Sequence, residues 1–414
     1  MDNKFKRYFK FMLIVLAAGS IYPMIYIRNG YQETILYVFG LDIQQLNNIY
    51  TALGFTFVVG YFPSGYLSDK FSAKWLLTVS LLATSLAGFW FAQIPPYGGV
   101  VAIFIIWGIF SVFTFWAAHM KLVKMLSTKE EEGRFFGILD GGRGLIEAIL
   151  AAIALFIFTL IMGPEGNEVS NSREALKGVI YMYSGILLVV SILIGIFIKE
   201  SDNVETVKRE KINIKNTPEI FKNRLVYLMG SIIFMGYFVT WGQFFIGGHM
   251  EVNMGMSAVE VATLMAVFLW MRPIGRIMGG FLADKLGKNL VIGSSIFLGS
   301  LGLLLLAIVP SATSVPILWL ITLTSGLAIF SIRGTFWSIL GDVRVSDKFM
   351  GLAIGYISFW GYLPDVLAPQ LSNAMFSNFG YQGGFNAYFI ATAIIGFVGV
   401  FLCIIFRKLT RKEV

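Results

Sequence analysis

Twelve stretches of about 20 or more mostly apolar residues follow one another along this chain, and such stretches are long enough to cross a lipid bilayer as helices. They lie near 9–38, 44–68, 75–94, 98–126, 135–162, 176–198, 225–247, 258–282, 288–309, 315–341, 350–375 and 383–406. In hydrocarbon every backbone N–H and C=O must be satisfied by a helix or by a closed barrel. The short alternating strands of a barrel are missing from the pattern, so the segments read as helices. Hydrophobic residues make up 57% of the 414 and charged residues 14%, too little charge for a soluble chain of this length. The 44 glycines suit helices that approach closely and bend.

One charged loop occurs twice, half the chain's length apart. The first copy runs Gly65-Tyr-Leu-Ser-Asp69-Lys70-Phe-Ser-Ala-Lys74, and the second runs Gly280-Phe-Leu-Ala-Asp284-Lys285-Leu-Gly287-Lys288. Each joins two apolar segments, so the chain reads as two similar halves with a substrate held between them. The expected organisation is an N-terminal six-helix bundle over 1–199, a polar linker over 200–222 and a C-terminal six-helix bundle over 223–414. The linker holds Glu, Lys, Asn, Thr and Pro218 with few large apolar residues.

The net charge of +8 is distributed as an orientation signal rather than as a nucleic-acid surface. Lys4, Lys6, Arg7 and Lys10 precede the first span, Lys124, Lys129 and Arg134 lie between spans four and five, and Arg407, Lys408, Arg411 and Lys412 close the chain. With the linker and the two repeated loops, they fall on one side of a twelve-span arrangement, which predicts that both termini are cytoplasmic. Anionic lipid headgroups are the partner such a fringe expects. The basic start and apolar run resemble a secretion signal. However, the run lacks a small-residue cleavage site and continues to Tyr22-Pro23, so it reads as an uncleaved span.

Enzyme chemistry has little foothold. Cys403 is the only cysteine, and His119 and His249 are the only histidines. No Walker loop, dinucleotide-binding glycine pattern or nucleophile elbow is present, so no metal and no cofactor is expected.

Twelve spans, a polar central linker and a Gly-x-Leu-x-Asp-x-x-x-x-Lys loop after spans two and eight resemble the major facilitator superfamily. The second loop departs from the motif only in Lys288, one place early. The resemblance implies an all-α membrane protein with twelve transmembrane helices in two pseudo-symmetric six-helix bundles. Within the superfamily, Tyr26-Ile-Arg28-Asn29, Lys121 through Gly133, and Gly351 through Leu363 are similar to the organophosphate:phosphate antiporters. That resemblance implies that Arg28 grips the anionic group of a substrate and that Arg143 in span five serves the same site. Thr240 stands where those proteins carry a second arginine, a departure that opens carboxylates and sulfonates as well as phosphates.

The residues themselves lead to a similar reading. An arginine at mid-membrane costs about 2.5–3.5 kcal/mol on insertion scales, so it faces water, a partner or a ligand. Arg28, Arg143, Arg272, Arg276 and Arg333 all lie inside apolar runs, with Asp140, Glu147 and Asp365 as acidic counterparts. The spacing puts Asp140, Arg143 and Glu147 on one helical face. Arg28 either binds the ligand, with Tyr22 and Tyr26 on its face, or pairs with a buried acid. Asp365 either carries a proton or is the counter-ion of Arg28 or Arg272. Arg143 and Arg272 are cavity candidates, joined by Thr240 and Trp241. Asp69, Lys70, Lys74, Arg134, Arg276, Asp284 and Lys285 form the expected cytoplasmic gate. Two functions follow from this pattern. One is secondary transport of a small organic anion such as a sugar acid, sugar phosphate or sulfonate, with protons or a counter-anion as the coupled partner. The other is proton-driven export of amphipathic compounds, which calls for an apolar pocket with few arginines. The arginines favour the first, with a monomer as the expected unit.

Overall fold

A computed structural model of the chain describes residues 3–127, 132–163, 169–198, 223–345, 353 and 356–411. The expected linker, 200–222, lies outside them, as do parts of the stretches Lys121–Gly133 and Gly351–Gly355. The fold is all-helical. In chain order the helices are α1 Asn3–Ser20, α2 Tyr22–Ile25, α3 Arg28–Phe39, α4 Ile43–Lys70, α5 Ala73–Phe91, α6 Tyr97–Gly108, α7 Trp116–Leu126, α8 Glu132–Met162 and α9 Val169–Phe197. There follow α10 Arg224–Trp241, α11 Gln243–Val252, α12 Ala258–Leu286, α13 Lys288–Ile308, α14 Val315–Thr335 and α15 Pro364–Arg411.

Ten described segments are long and apolar enough to cross a membrane. Helix α4, at 28 residues, is also long enough, although Gln44, Gln45, Asn47 and Asn48 dilute its apolar residues. The last segment runs 55 residues through a left-handed break at Gly380 (φ 71°), and so holds two crossings. Together they make the twelve crossings that the apolar pattern predicts.

The first span differs from a simple rod. It breaks between α1 and α3, where Pro23 opens the short α2 and the Tyr26 amide reaches back to the Tyr22 carbonyl at 3.0 Å. Span four is interrupted by a π turn over Ile109–Phe113, where the Thr114 amide bonds the Ile109 carbonyl at 3.3 Å. Such turns release a carbonyl from the regular ladder. Helix α4 opens on a capping box, in which Asp42 accepts from the Gln45 amide and Gln45 accepts from the Asp42 amide.

The repeated loops show why their spacing differs. Between α4 and α5 stand Phe71 and Ser72, and the Ser72 hydroxyl oxygen accepts from the Trp75 amide to cap α5. Between α12 and α13 stands Gly287 alone, at φ 96°. A one-residue link needs a left-handed conformation that glycine adopts without strain, and it brings Lys288 one place early. Lys121 of α7 donates to the Ser68 carbonyl in the last turn of α4 at 2.6 Å, so it caps a helix rather than reaching to the lipid surface.

Packing divides the chain into two compact units, one of residues Met1–Val204 with Gly247–Trp270, the other of Glu205–Ile246 with Met271–Val414. In the first, α1 packs on α8 and α9, α5 on α9, and α4 on α6 and the π turn. In the second, α15 packs on α10 and α13, and α13 packs on α14. Small residues make these approaches possible. A Cβ at Gly396 would collide with Ser300 and come within 2.6 Å of Val239. We therefore expect Gly396→Leu to lower the melting temperature in detergent, since overpacking costs about 1–3 kcal/mol or more. Gly141→Ala, where nothing lies within 4 Å, should leave it unchanged or slightly raised.

Candidate functional site

In the first unit the break in span one turns five predicted residues into a cluster. Arg28 opens α3 and is fully buried. The N-terminal end of a helix disfavours a cation, so other groups must hold it there. One guanidinium nitrogen donates to the Gln32 carbonyl oxygen, one turn on, at 2.6 Å, and another to the Asn47 carbonyl oxygen of α4 at 3.1 Å. Its guanidinium carbon lies 4.9 Å from the centre of the Tyr50 ring. The Gln32 amide nitrogen donates to Glu33 at 3.0 Å, which orients its oxygen towards Arg28. The Tyr50 hydroxyl donates to the Ile25 carbonyl, beside the helix break, at 2.8 Å.

From Tyr50 the aromatic faces continue in a row. Tyr26 stacks on Tyr50 with centroids 6.2 Å apart, and Tyr22 on Tyr26 at 6.4 Å, both pairs inclined by only 20°. Arg143 of α8 closes the row, its guanidinium 4.5 Å from the Tyr22 centroid. Three stacked tyrosines thus separate two guanidiniums, and the middle one, Tyr26, is only half-buried. Arg143 also bonds Glu147, one turn on, at 3.2 Å. The Tyr22 hydroxyl donates to the Ser111 carbonyl at 3.1 Å, inside the π turn, so the two irregular helices meet at this site. Of the expected trio, Arg143 and Glu147 are joined by their bond, and Asp140, one turn before Arg143, is exposed. His119 stacks on Phe115, one turn before it, with ring centroids 4.9 Å apart.

The second unit holds a different cluster. Asp365, buried in the first turn of α15, accepts from the Tyr237 hydroxyl at 2.7 Å and from the Trp241 indole N–H at 3.0 Å. The two donors are four residues apart on α10 and share one face. Arg333 of α14 lies 4.9 Å from the centroid of Tyr237, the ring whose hydroxyl holds Asp365. Arg333, unassigned in the sequence reading, is thus a neighbour of the Asp365 cluster. Arg272 lies with its guanidinium 5.9 Å from the Phe330 centroid. The Thr240 hydroxyl turns back on its own helix, donating to the Gly236 carbonyl at 3.1 Å.

The expected gate residues sit at helix ends. Lys70 is exposed and lies 5.8 Å from the Tyr66 centroid, and Lys74 is 5.1 Å from that of Trp75. Asp284 and Lys285 are exposed in the last turn of α12. Two turns before them, inside α12, the backbone of Arg276 lies against Gly334 of α14. The side chains of Asp69 and Arg134 lie outside the described ones.

Sequence reading missed Gln32, Asn47, Tyr50 and Tyr237. Gln32 was within reach of it, standing four residues after Arg28 on the same face. Tyr237 stands likewise to Trp241. Nothing local in the sequence ties Asn47 or Tyr50 to span one, because the Arg28 side chain reaches them across from another helix.

The sequence model of the Major Facilitator Superfamily matches residues 9–369. The chain is 26% identical to the inner membrane protein YihN of Escherichia coli, over 97% of this chain and 93% of that protein. It is 21% identical to the probable galactarate/D-glucarate transporter GudP of the same organism, over 87% of this chain and 84% of that one. Among solved structures it resembles a bacterial homologue of the human lysosomal transporter Spinster in an inward-facing, occupied conformation. The TM-score is 0.78 at 12% identity, covering 97% of each chain, a likeness of fold alone.

Hydrogen bonds to a charged group contribute about 1.5–3 kcal/mol each. Tyr237→Phe should therefore lower the melting temperature, and Trp241→Phe, which removes the longer bond, should lower it less through that bond. A Tyr237→Phe protein that melts with the wild type would show that the hydroxyl does not hold Asp365.

Proposed function

Because the chain belongs to the Major Facilitator Superfamily and is a membrane transporter rather than an enzyme, we propose that its cargo is a small organic anion of the sugar acid, sugar phosphate or sulfonate type. The observation that carries this reading is the row of three stacked tyrosines with a guanidinium at each end, Arg28 fully buried and Arg143 on Tyr22. A guanidinium presents paired donors to a carboxylate, sulfonate or phosphate. Aromatic faces give the C–H face of a small ligand something to lie on. An exporter of hydrophobic cations would have to desolvate its cargo beside two arginines, which disfavours that alternative. GudP, a probable galactarate/D-glucarate transporter, is a relative whose named cargo is acidic.

On this reading the two six-helix halves, 1–199 and 223–414, joined by 200–222, rock about the cargo to expose it alternately to each side. The loops at Gly65–Lys74 and Gly280–Lys288 latch the cytoplasmic face, with Asp69, Lys70, Lys74, Arg134, Arg276, Asp284 and Lys285 as the gate. Both termini are cytoplasmic and the membrane is a bacterial inner membrane. Cargo movement is coupled to protons, through Glu147, Asp140 or Asp365, or to exchange with a second anion.

A thermal-shift screen of the purified protein against sugar acids, sugar phosphates, sulfonates and hydrophobic cations tests the cargo class. A ligand that binds the folded state raises the melting temperature by mass action. Stabilisation by cations alone would overturn the reading. For an anion that stabilises, Arg28→Lys keeps the charge but loses the fork, and its affinity should fall about tenfold to hundredfold, the equivalent of about 1.5–3 kcal/mol. Wild-type affinity in a well-folded Arg28→Ala protein would remove Arg28 from the binding site.

Coupling is read in proteoliposomes. Proton coupling predicts that an imposed pH gradient drives uptake and that Glu147→Gln or Asp365→Asn abolishes the dependence. Uptake indifferent to the gradient, but driven by anion loaded on the far side, identifies exchange instead.

A further inference from the structure

Within the second unit α13 and the last part of α15 enclose a groove of about 450 Å³ between them. One wall is Asn289, Gly293 and Phe297, spaced four residues apart on one face of α13. The other is Val400, Ile404 and Arg407, on one face of α15. The helices run antiparallel along it, so its composition changes from end to end. Asn289 and the half-buried Arg407 line one end, and Phe297 and Val400 line the other. Nine residues of helix separate Asn289 from Leu298 on the first wall, about 14 Å at 1.5 Å per residue.

We propose that this groove is a binding site for one anionic phospholipid, with its phosphate at the Asn289–Arg407 end and an acyl chain along Gly293, Phe297 and Val400. The argument is complementarity along the length of the groove. The polar end is basic, because Lys288 opens α13 there and Lys408 follows Arg407, both exposed. The dipole of α13 also favours an anion at that end. The remainder is almost wholly apolar and lies between two membrane-spanning helices. A soluble anion would leave that apolar length unfilled, and a neutral lipid would leave Arg407 facing a headgroup without net charge. Gly293 keeps the groove open. A Cβ there would meet only the Cys403 Cβ at 3.5 Å, an ordinary contact, so a larger side chain would extend into the space a lipid chain takes. The site is separate from the cargo cluster and does not rest on the cargo assignment.

The test is native mass spectrometry of the purified full-length protein, delipidated and then titrated with phosphatidylglycerol or phosphatidylcholine of the same acyl chains. Wild type should retain one phosphatidylglycerol with about fivefold preference over phosphatidylcholine, the factor expected from one basic residue at an anionic headgroup. Arg407→Gln should lose most of that preference. Gly293→Phe should lose the retained lipid of either kind. Lys10→Gln, a charge removed from the first unit, should keep the preference. Undiminished preference in Arg407→Gln, or full retention in Gly293→Phe, would overturn the proposal. So would a wild-type dimer that Gly293→Phe converts to a monomer, because the groove would then be filled by a second copy of the chain.

Discussion

A charge buried in a membrane protein must be solvated by the protein itself, and the irregular backbone of this chain follows from that requirement. Arg28 is fully buried and stands at the helix end least suited to a cation. It is kept there by acceptors brought from α3 and α4, and by the face of Tyr50. The break before α3 aims the side chain at them. It also leaves carbonyls outside the helical ladder, of which the one at Ile25 is bonded by the Tyr50 hydroxyl. The same tyrosine therefore satisfies the broken backbone with its hydroxyl and the arginine with its ring.

The π turn in span four plays a matching part. It exposes the Ser111 carbonyl to the Tyr22 hydroxyl, which fixes the ring on which Arg143 lies. Pro23, the π turn and the stacked tyrosines are thus parts of one arrangement. Non-helical backbone at membrane depth is tolerated only where protein or a polar cavity covers it, and here hydroxyls from neighbouring helices cover it.

Sequence alone reaches the helices and most of the charged residues, because hydropathy and intramembrane charge are local properties. It locates Arg28, Arg143, Glu147 and Asp365, and even the pairing of Arg143 with Glu147, which needs only helical spacing. The early Lys288 is visible too, and the single left-handed Gly287 gives its reason. Contacts between distant helices stay hidden. Asn47 and Tyr50 carry no local mark of their bond with Arg28, and Arg333 sits in an apolar run like that of Arg272, although its guanidinium lies on Tyr237, a donor to Asp365, and that of Arg272 on Phe330. Which arginine meets which carboxylate depends on helix packing, and the Gly275 contact with Leu327 and Phe330 of α14 sets part of that packing.

The two clusters solve one problem with opposite charges. In the first unit, neutral carboxamides and an aromatic face orient a guanidinium. In the second, a phenol and an indole N–H orient a carboxylate, both on the same oxygen. Neutral dipoles hold a charged group in place without cancelling its charge, whereas a tight ion pair such as Arg143–Glu147 largely does. A transporter needs both conditions. A charge kept by dipoles can meet a mobile ion without first breaking an ion pair, and a pair can be opened by that ion when the geometry changes. On the proposed reading Arg28 and Asp365 are charges open to a mobile ion, the first to a cargo anion and the second to a proton, and Arg143–Glu147 is the pair whose opening and closing a cargo anion or a proton can drive.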